Sequence, residues 1–271
     1  MCAKKKQKMI YDFDKWLLPY KDVIDRRHKM IMDTKEKFSV DSSLSKGVNN
    51  HMFYGMHRTA SGDWVFREWA PNATKIYLIG DFNNWRRSEA YALKPIGGGN
   101  WEIVLPAMFL DHCTLYKLYI EWKGGGAERL PAYLTRAVQD PVTKTFCAQV
   151  WDPFEKYEWK NPSPGKRTHP LIYECHIGMA AEEEKVGTFE EFRLNVLPKV
   201  AELGYDTLQI MALQEHPYYG SFGYQVANFY ALSSRFGTPE EFKALVDDAH
   251  GLGIAVVMDI VHSHSVDNEA E

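Results

Sequence analysis

No apolar run in this 271-residue chain approaches the roughly 18 residues needed to cross a bilayer. The four lysines between Met1 and Lys8 are followed by no apolar segment of the kind that makes a secretory signal. A soluble, cytoplasmic protein without a membrane partner is expected. Cysteine is scarce and scattered: Cys2, Cys113, Cys147 and Cys175 form no CxxC pair, which indicates neither a disulfide framework nor a zinc site and fits a reducing compartment. No metal and no cofactor are expected. Positive charge is not in excess, with 32 Lys and Arg against 36 Asp and Glu, a net charge of -4 and a pI of about 6.2. No basic field points to nucleic acid or anionic lipid, and a neutral partner is expected. At 45% hydrophobic and 25% charged residues, the chain is not disordered, collagenous or of low complexity.

Aromatic side chains are what the chain has in quantity. Trp 8, Tyr 15 and Phe 14 make up 14% of it, more than a core of this size needs. Flat rings at a surface suit the C–H faces of sugars. The length predicts two domains, and the texture divides the chain further. Residues 1–50 form a helical leader, in which Trp16, Leu17, Leu18, Val23 and Ile24 recur at helical spacing among Asp25, Arg26, Arg27 and Lys29. Residues 51–152 carry short β-rich runs, at 63–69, 75–79, 100–105, 116–122 and 145–151. Breaks at Ser61-Gly62, Gly80-Asp81, Gly97-Gly98-Gly99 and Gly124-Gly125-Gly126 separate them, which predicts an all-β sandwich. Residues 153–170, with Pro153, Pro162, Pro164 and Pro170, read as a linker. Residues 171–271 alternate strand, helix, strand, helix, strand: a strand from Leu171, a helix opened by Thr188 and Glu191 and running through Leu203, a strand over 207–213, a helix from Thr238 to Gly251 or Gly253, and a strand over 254–261. That is the βαβ order of a parallel sheet or barrel. A closed (β/α)8 barrel needs about 250 residues, so only its first strands and helices are expected here, and the chain reads as a fragment of a longer protein.

The last strand runs into Asp259-Ile260-Val261-His262-Ser263-His264. Charged and imidazole groups at the C-terminal end of a buried parallel strand occupy the position where α/β active sites are built. The alternatives are that Asp259 merely caps the loop, or that His262 and His264, two apart, bind a metal as in metal-dependent barrel hydrolases. After the second strand, the loop Glu215 to Gln225 carries four aromatics, which either pack beneath neighbouring loops or, at Tyr224, offer a ring to a sugar. Trp69 stands at a strand end, buried in the sandwich or exposed to ligand, while Trp85, in the turn Gly80-Asp81-Phe82-Asn83-Asn84-Trp85, is harder to bury. The acidic run Glu182-Glu183-Glu184 reads as a solvated loop.

Trp69-Ala70-Pro71 followed by Gly80-Asp81-Phe82-Asn83-Asn84-Trp85 resembles the family 48 carbohydrate-binding modules. Tyr173-Glu174-Cys175-His176-Ile177-Gly178, then 216–225, then 259–264, resembles the family 13 glycoside hydrolases, and among them the glycogen branching enzymes. The leader, with Trp16-Leu17-Leu18-Pro19-Tyr20 and Arg26-Arg27, is similar to that of the eukaryotic type, and Ser263, where much of family 13 has Asn, agrees. The resemblance covers nearly the whole chain in order.

It implies an immunoglobulin-like sandwich followed by an incomplete (β/α)8 TIM barrel. It implies transfer of a cut α-1,4-glucan segment to a glucose O6, forming an α-1,6 branch in glycogen or starch, by a retaining double displacement. The partner is then an α-1,4-glucan: glycogen, amylose or starch. Asp259 corresponds to an aspartate of the active-site charge network, His264 to a histidine bonding the sugar in subsite -1, and Tyr224 to a tyrosine stacking on that sugar. Trp69, Ala70, Pro71, Trp85, Gly97, Gly98, Gly99, Asn100 and Lys117 correspond to positions holding glucan away from the active site. The nucleophile and acid/base of the family follow later strands, so no catalytic carboxylate is expected before Glu271, and Glu174 and Glu215 match neither. A noncatalytic glucan-binding role, or another family 13 amylase or debranching activity, are the alternatives. The uncovered faces of a part-barrel predict aggregation or a need for a partner. The sequence carries no signal of oligomeric state.

Overall fold

The computed structural model describes residues 8–211 and 213–267; Cys2, most of the lysine-rich start and the segment after Asp267 lie outside them. The chain has two compact units, residues 1–53 and 54–271. The first is helical: α1 (Ile10–Phe13), a 3-10 turn (Lys15–Tyr20), α2 (Lys21–Phe38) and α3 (Leu44–Gly47). Within it Asp25 accepts from the Tyr11 hydroxyl at 2.7 Å and pairs with Lys21.

The second unit begins with a sandwich of antiparallel strands. β1 (Gly55–Arg58), β2 (Trp64–Trp69), β4 (Lys94–Gly97) and β5 (Asn100–Leu105) form one sheet in the order β1-β2-β5-β4. β3 (Ala73–Gly80), β6 (Leu115–Trp122), β9 (Phe146–Gln149) and β8 (Ala137–Gln139) form the other in the order β3-β6-β9-β8, and β7 (Gly125–Arg129) pairs with Leu118 to Trp122 of β6, past the two residues that pair with β9. Period-two alternation decides which side chains meet: Trp101, Ile103 and Leu105 of β5 point inward, as do Tyr116 and Leu118 of β6. With Phe66, Leu78 and Phe146 they make one core.

Beyond it, β10 (Ile172–His176), β11 (Thr207–Met211) and β14 (Ala255–Met258) pair in parallel, in the order β10-β11-β14. Helices α4 (Phe189–Asn195) and α5 (Leu197–Glu202) connect the first two, and α6 (Pro239–Gly251) lies before the third. Thr188 and Glu191 exchange capping hydrogen bonds at 3.2 and 3.1 Å, and Thr238 and Glu241 do so at 3.2 and 2.6 Å. The first helix does not run unbroken to Leu203. It stops at Asn195 and resumes at Leu197, because Pro198 has no N–H to give the carbonyl four residues back. The second and third strands are also shorter than expected, ending at Met211 and Met258. Between β11 and α6 lies an antiparallel hairpin, β12 (Gln214–Glu215) with β13 (Asn228–Leu232), which alternation in the sequence did not reveal.

The proline-rich residues 153–170 have no regular structure but are fastened down. Buried Asp247 of α6 accepts from the Tyr157 hydroxyl at 2.8 Å, from the backbone N–H of Lys160 at 3.0 Å and from that of Asn161 at 2.8 Å. Ile172 of β10 and Val257 and Met258 of β14 are exposed apolar side chains on the two outer strands of the parallel sheet.

Because residues 54–271 form one compact unit, Phe66→Ala in the sandwich core and Phe236→Ala in the βα core should each cost about 3–5 kcal/mol and lower one shared unfolding transition. Calorimetry that resolved two transitions, each moved by one substitution only, would contradict this.

Candidate functional site

The C-terminal ends of the three parallel strands, at His176, Met211 and Met258, face the loops that can carry chemistry. Past β14 the Asp259 N–H still donates to the Ile210 carbonyl at 3.0 Å, and residues 259–267 then run without regular structure. On this loop His264 meets Tyr224, ring centres 6.3 Å apart and tilted by 51°. His262 turns elsewhere and lies flat on Phe229 of β13, at 5.8 Å and 9°. The two imidazoles, which share a face only if the strand continues, therefore have different ring partners because the strand ends at Met258.

Tyr224 is brought to this position by a tight turn. Phe222 and Gly223 are both left-handed, with φ of 52° and 78°, and the Tyr224 N–H donates to the Ser221 carbonyl at 3.0 Å. A phenylalanine in that region is strained and needs outside support. Its ring lies edge-on to His176, 5.8 Å away, in a cluster where Tyr219 and Phe236 also put their edges against that imidazole.

Beneath the loop sit polar groups that sequence reasoning did not use. Glu215 is 1% exposed and accepts from the Ser233 hydroxyl at 2.9 Å, the Ser234 N–H at 2.7 Å, the Ser234 hydroxyl at 2.9 Å and the His216 N–H at 3.1 Å. Burial pushes its carboxyl up from the ordinary range, while these donors pull the other way. Its oxygens are occupied in holding the hairpin to the turn before α6. Glu174, on β10, is exposed and accepts a 3.4 Å contact from the Gln209 side-chain amide. Arg235 donates to the carbonyls of His216 and Pro217, both at 3.2 Å, and so holds the start of the aromatic loop. A small polar run, Ser233-Ser234-Arg235, was the available signal.

In the sandwich, Trp69 at the end of β2 is opposite Asn100 at the start of β5. Trp69 is 56% exposed, and its indole N–H donates to the Gly98 carbonyl at 3.2 Å. The Ala70 N–H donates to the Gly99 carbonyl at 2.9 Å, and the Trp101 indole to the Ala70 carbonyl at 3.0 Å. Gly99 has a φ of +83°, and a Cβ there would stand 2.8 Å from that of Pro71. Trp69, Ala70, Pro71 and residues 97–100 are thus one patch. Trp122, which the sequence reading passed over, lines the groove beside Ala70, Pro71 and Asn72; like Trp69 it is a tryptophan at a strand end.

Trp85 and Lys117 belong to a second patch. The Trp85 N–H donates to the carbonyl of Gly80, the last residue of β3, and its indole to Asp81 at 3.2 Å. Lys117 pairs in register with Ile79 and its Nζ donates to Glu128 at 3.2 Å. The eight residues of β3 separate the patches by roughly 25 Å at about 3.3 Å per residue.

Residues 53–137 match the family described as carbohydrate-binding module 48 (isoamylase N-terminal domain), and residues 194–271 match the alpha amylase catalytic domain. The 1,4-alpha-glucan-branching enzyme of Dictyostelium discoideum is 42% identical over 268 residues, 96% of this chain and 39% of that protein. That of Yarrowia lipolytica is 40% identical over 264 residues, 94% of this chain and 38% of that protein. The chain is similar to the 1,4-alpha-glucan-branching enzymes. It spans about two-fifths of the length of those curated relatives. A pullulanase from Bacillus acidopullulyticus shares the fold, with a TM-score of 0.63 over 80% of this chain and 30% of that one, at 18% identity. The two patches fall within the residues that match the carbohydrate-binding module, and Tyr224 and His264 within those that match the amylase catalytic domain.

Gly99→Ala adds a clash with Pro71 to the cost of a positive φ, whereas Gly62→Ala, with a φ of +87° and open space around it, bears the backbone cost alone. Gly99→Ala should therefore displace Trp69, and indole fluorescence should change for it and not for Gly62→Ala. Burial holds the His176 and His216 imidazoles below their ordinary pKa of 6.5. The unfolded chain then binds more protons, so the stability these residues contribute is full above about pH 6.5 and is lost as pH falls through the depressed values. Urea midpoints should drop between pH 7.5 and 5.5, and His176→Leu should reduce the drop; an unchanged midpoint would refute the assignment.

Proposed function

We propose that the protein to which these residues belong is a 1,4-alpha-glucan branching enzyme, which cleaves an α-1,4-glucan and transfers the segment to a glucose O6 in glycogen or starch synthesis. The observation that carries this is the meeting of Tyr224 and His264 at the C-terminal edge of the parallel sheet, in a chain about 40% identical to branching enzymes over nearly its whole length. In this reading residues 1–50 are a leader, 51–152 an immunoglobulin-like glucan-binding sandwich, 153–170 a linker and 171–271 the opening strands and helices of a (β/α)8 barrel. The protein works in the cytoplasm; among the described residues no helix is long and apolar enough to cross a membrane.

The chemistry is a retaining double displacement. A carboxylate attacks the anomeric carbon while a second carboxylic acid gives its proton to the departing O4. That second group then takes the proton from an acceptor O6 hydroxyl as O6 displaces the enzyme. Both carboxylates lie beyond Glu271 in the longer protein, a reading supported by the length of the relatives. Tyr224 stacks on the sugar in subsite -1, His264 bonds its hydroxyls, and Asp259, at the end of β14, contributes negative charge to the network around it. The exposed indoles of Trp69 and Trp85 hold glucan away from this centre, and the separation of their patches lets one long chain touch both.

The full-length protein should raise the α-1,6 content of amylose, read by proton NMR of the anomeric region. Chain shortening without new α-1,6 linkages would overturn the reading in favour of an amylase or debranching activity. Tyr224→Ala or His264→Ala should lower kcat/KM by about 10- to 100-fold, equivalent to about 1.4–2.8 kcal/mol of transition-state binding. Trp85→Ala should weaken retardation in glycogen gels without this loss.

A further inference from the structure

The loop that carries His264 has little structure of its own. Over residues 259–267, among the described residues, two backbone hydrogen bonds hold it, from the Asp259 N–H to the Ile210 carbonyl and from the Val266 N–H to the Val226 carbonyl, both at 3.0 Å. The second, and the flat stack of His262 on Phe229, both fasten the loop to the segment leading into and along β13. What fastens β13 in turn is the sandwich. Ala231 is packed in the sandwich core, and Leu232 makes a parallel bridge to Arg136. Tyr230 stacks on Tyr133 with centres 4.7 Å apart and planes at 28°, and Tyr133 stacks on Tyr54 at 5.1 Å and 27°. The Tyr54 hydroxyl donates to Asn100 Oδ1 at 2.7 Å, within the Trp69 patch.

We propose that β13 is a strut which sets the position of the 259–267 loop from the sandwich, and that Tyr133 and Tyr230 are positioning residues for His264 and Tyr224. Two adjacent residues of β13 make this possible: Tyr230 meets the tyrosine stack and its neighbour Phe229 meets His262, so the strand is gripped through one ring and grips through the next. The sandwich then has a second role besides holding glucan, because the ring stack that ends at Asn100 fixes the element on which the sugar-contacting loop rests. The assignment of a catalytic consequence rests on the proposed roles of Tyr224 and His264; the mechanical link does not.

The test uses the full-length protein and two readouts. Tyr133→Ala and Tyr230→Ala should each speed hydrogen exchange at the Val266 amide about tenfold and leave the amides of α6 protected. Tyr133→Phe and Tyr230→Phe, which keep the stacked rings, should leave exchange unchanged. Phe229→Leu, which removes the stack on His262 without touching the sandwich, should reproduce the local loss. Unchanged exchange at Val266 in the alanine variants overturns the strut, as does acceleration spread equally over α6, which marks general destabilisation. In steady-state branching kinetics the alanine variants should lower kcat about tenfold with glycogen-gel retardation intact, and an unchanged kcat overturns the positioning role. Should the protein form no α-1,6 linkages at all, the functional reading fails, while the exchange measurement still decides the strut.

Discussion

A buried guanidinium is tolerated only where the protein meets its donors, and Arg136 is such a group. It stands on the approach to β8, donates through Nε to Gln149 at 2.9 Å and through Nη1 to the Gly237 carbonyl at 3.2 Å, and lies over the Trp151 ring at 4.4 Å. Trp151 donates its indole N–H to Glu240 at 2.6 Å, at the start of α6. One cation therefore joins the sandwich to the turn that begins a helix of the parallel layer. Burial lowers the Arg136 pKa from its usual value, and the nearby Glu215 is the largest charge working against that. The same carboxylate holds Ser233, Ser234 and the His216 N–H, so the seam between the layers and the base of the aromatic loop share one electrostatic network.

This arrangement explains why the loop 217–225 can hold a strained turn. A left-handed Phe222 persists only where its surroundings over-determine it. Here Arg235 fixes the carbonyls before it, the Ser221 hydroxyl bonds the Tyr218 carbonyl at 2.7 Å, and the His176 imidazole receives the ring edge. Keeping His176 and His216 neutral belongs to the same logic, since a charged imidazole among those rings would lose its hydration without gaining a carboxylate. The result presents Tyr224 beside His264 at a surface that a sugar can reach.

Strands β2, β3, β5, β6 and β9 of the sandwich were legible as β-rich runs between turn residues, and β5 alternates clearly, with Trp101, Ile103 and Leu105 buried and Val104 exposed; the short strands β1, β4, β7 and β8 were not read. The helix starts were legible because Thr188 with Glu191 and Thr238 with Glu241 satisfy orphan N–H groups in a way that depends only on local spacing. The break at Val196 was also written in the sequence, at Pro198, but an otherwise helical pattern outweighed it. The hairpin of β12 and β13 was not legible. Its strands are short, one of only two residues, and its pairing is bulged, so periodicity carries almost no signal. Of the expected site residues, Tyr224 and His264 were named from motifs 40 positions apart, and only folding makes them neighbours. Trp69 and Trp85, closer in sequence, end at opposite ends of one strand.

By itself the sequence determined the kinds of element and the chemical character of the surface: alternating strands, capped helices, no cationic field and a surplus of rings suited to sugars. These depend on near neighbours along the chain and on composition, so they can be read without knowing the fold. The tertiary structure alone decided which rings became core, which became ligands for one another and which stayed open. It made His262 a stacking partner and His264 a neighbour of Tyr224, turned a proline-rich stretch into a strap around Asp247, and put Ala231 in the core of a sandwich that precedes it by 80 residues or more. The reason is that burial and hydrogen-bond satisfaction are set by groups remote in sequence, and a side chain's environment exists only once those groups have met.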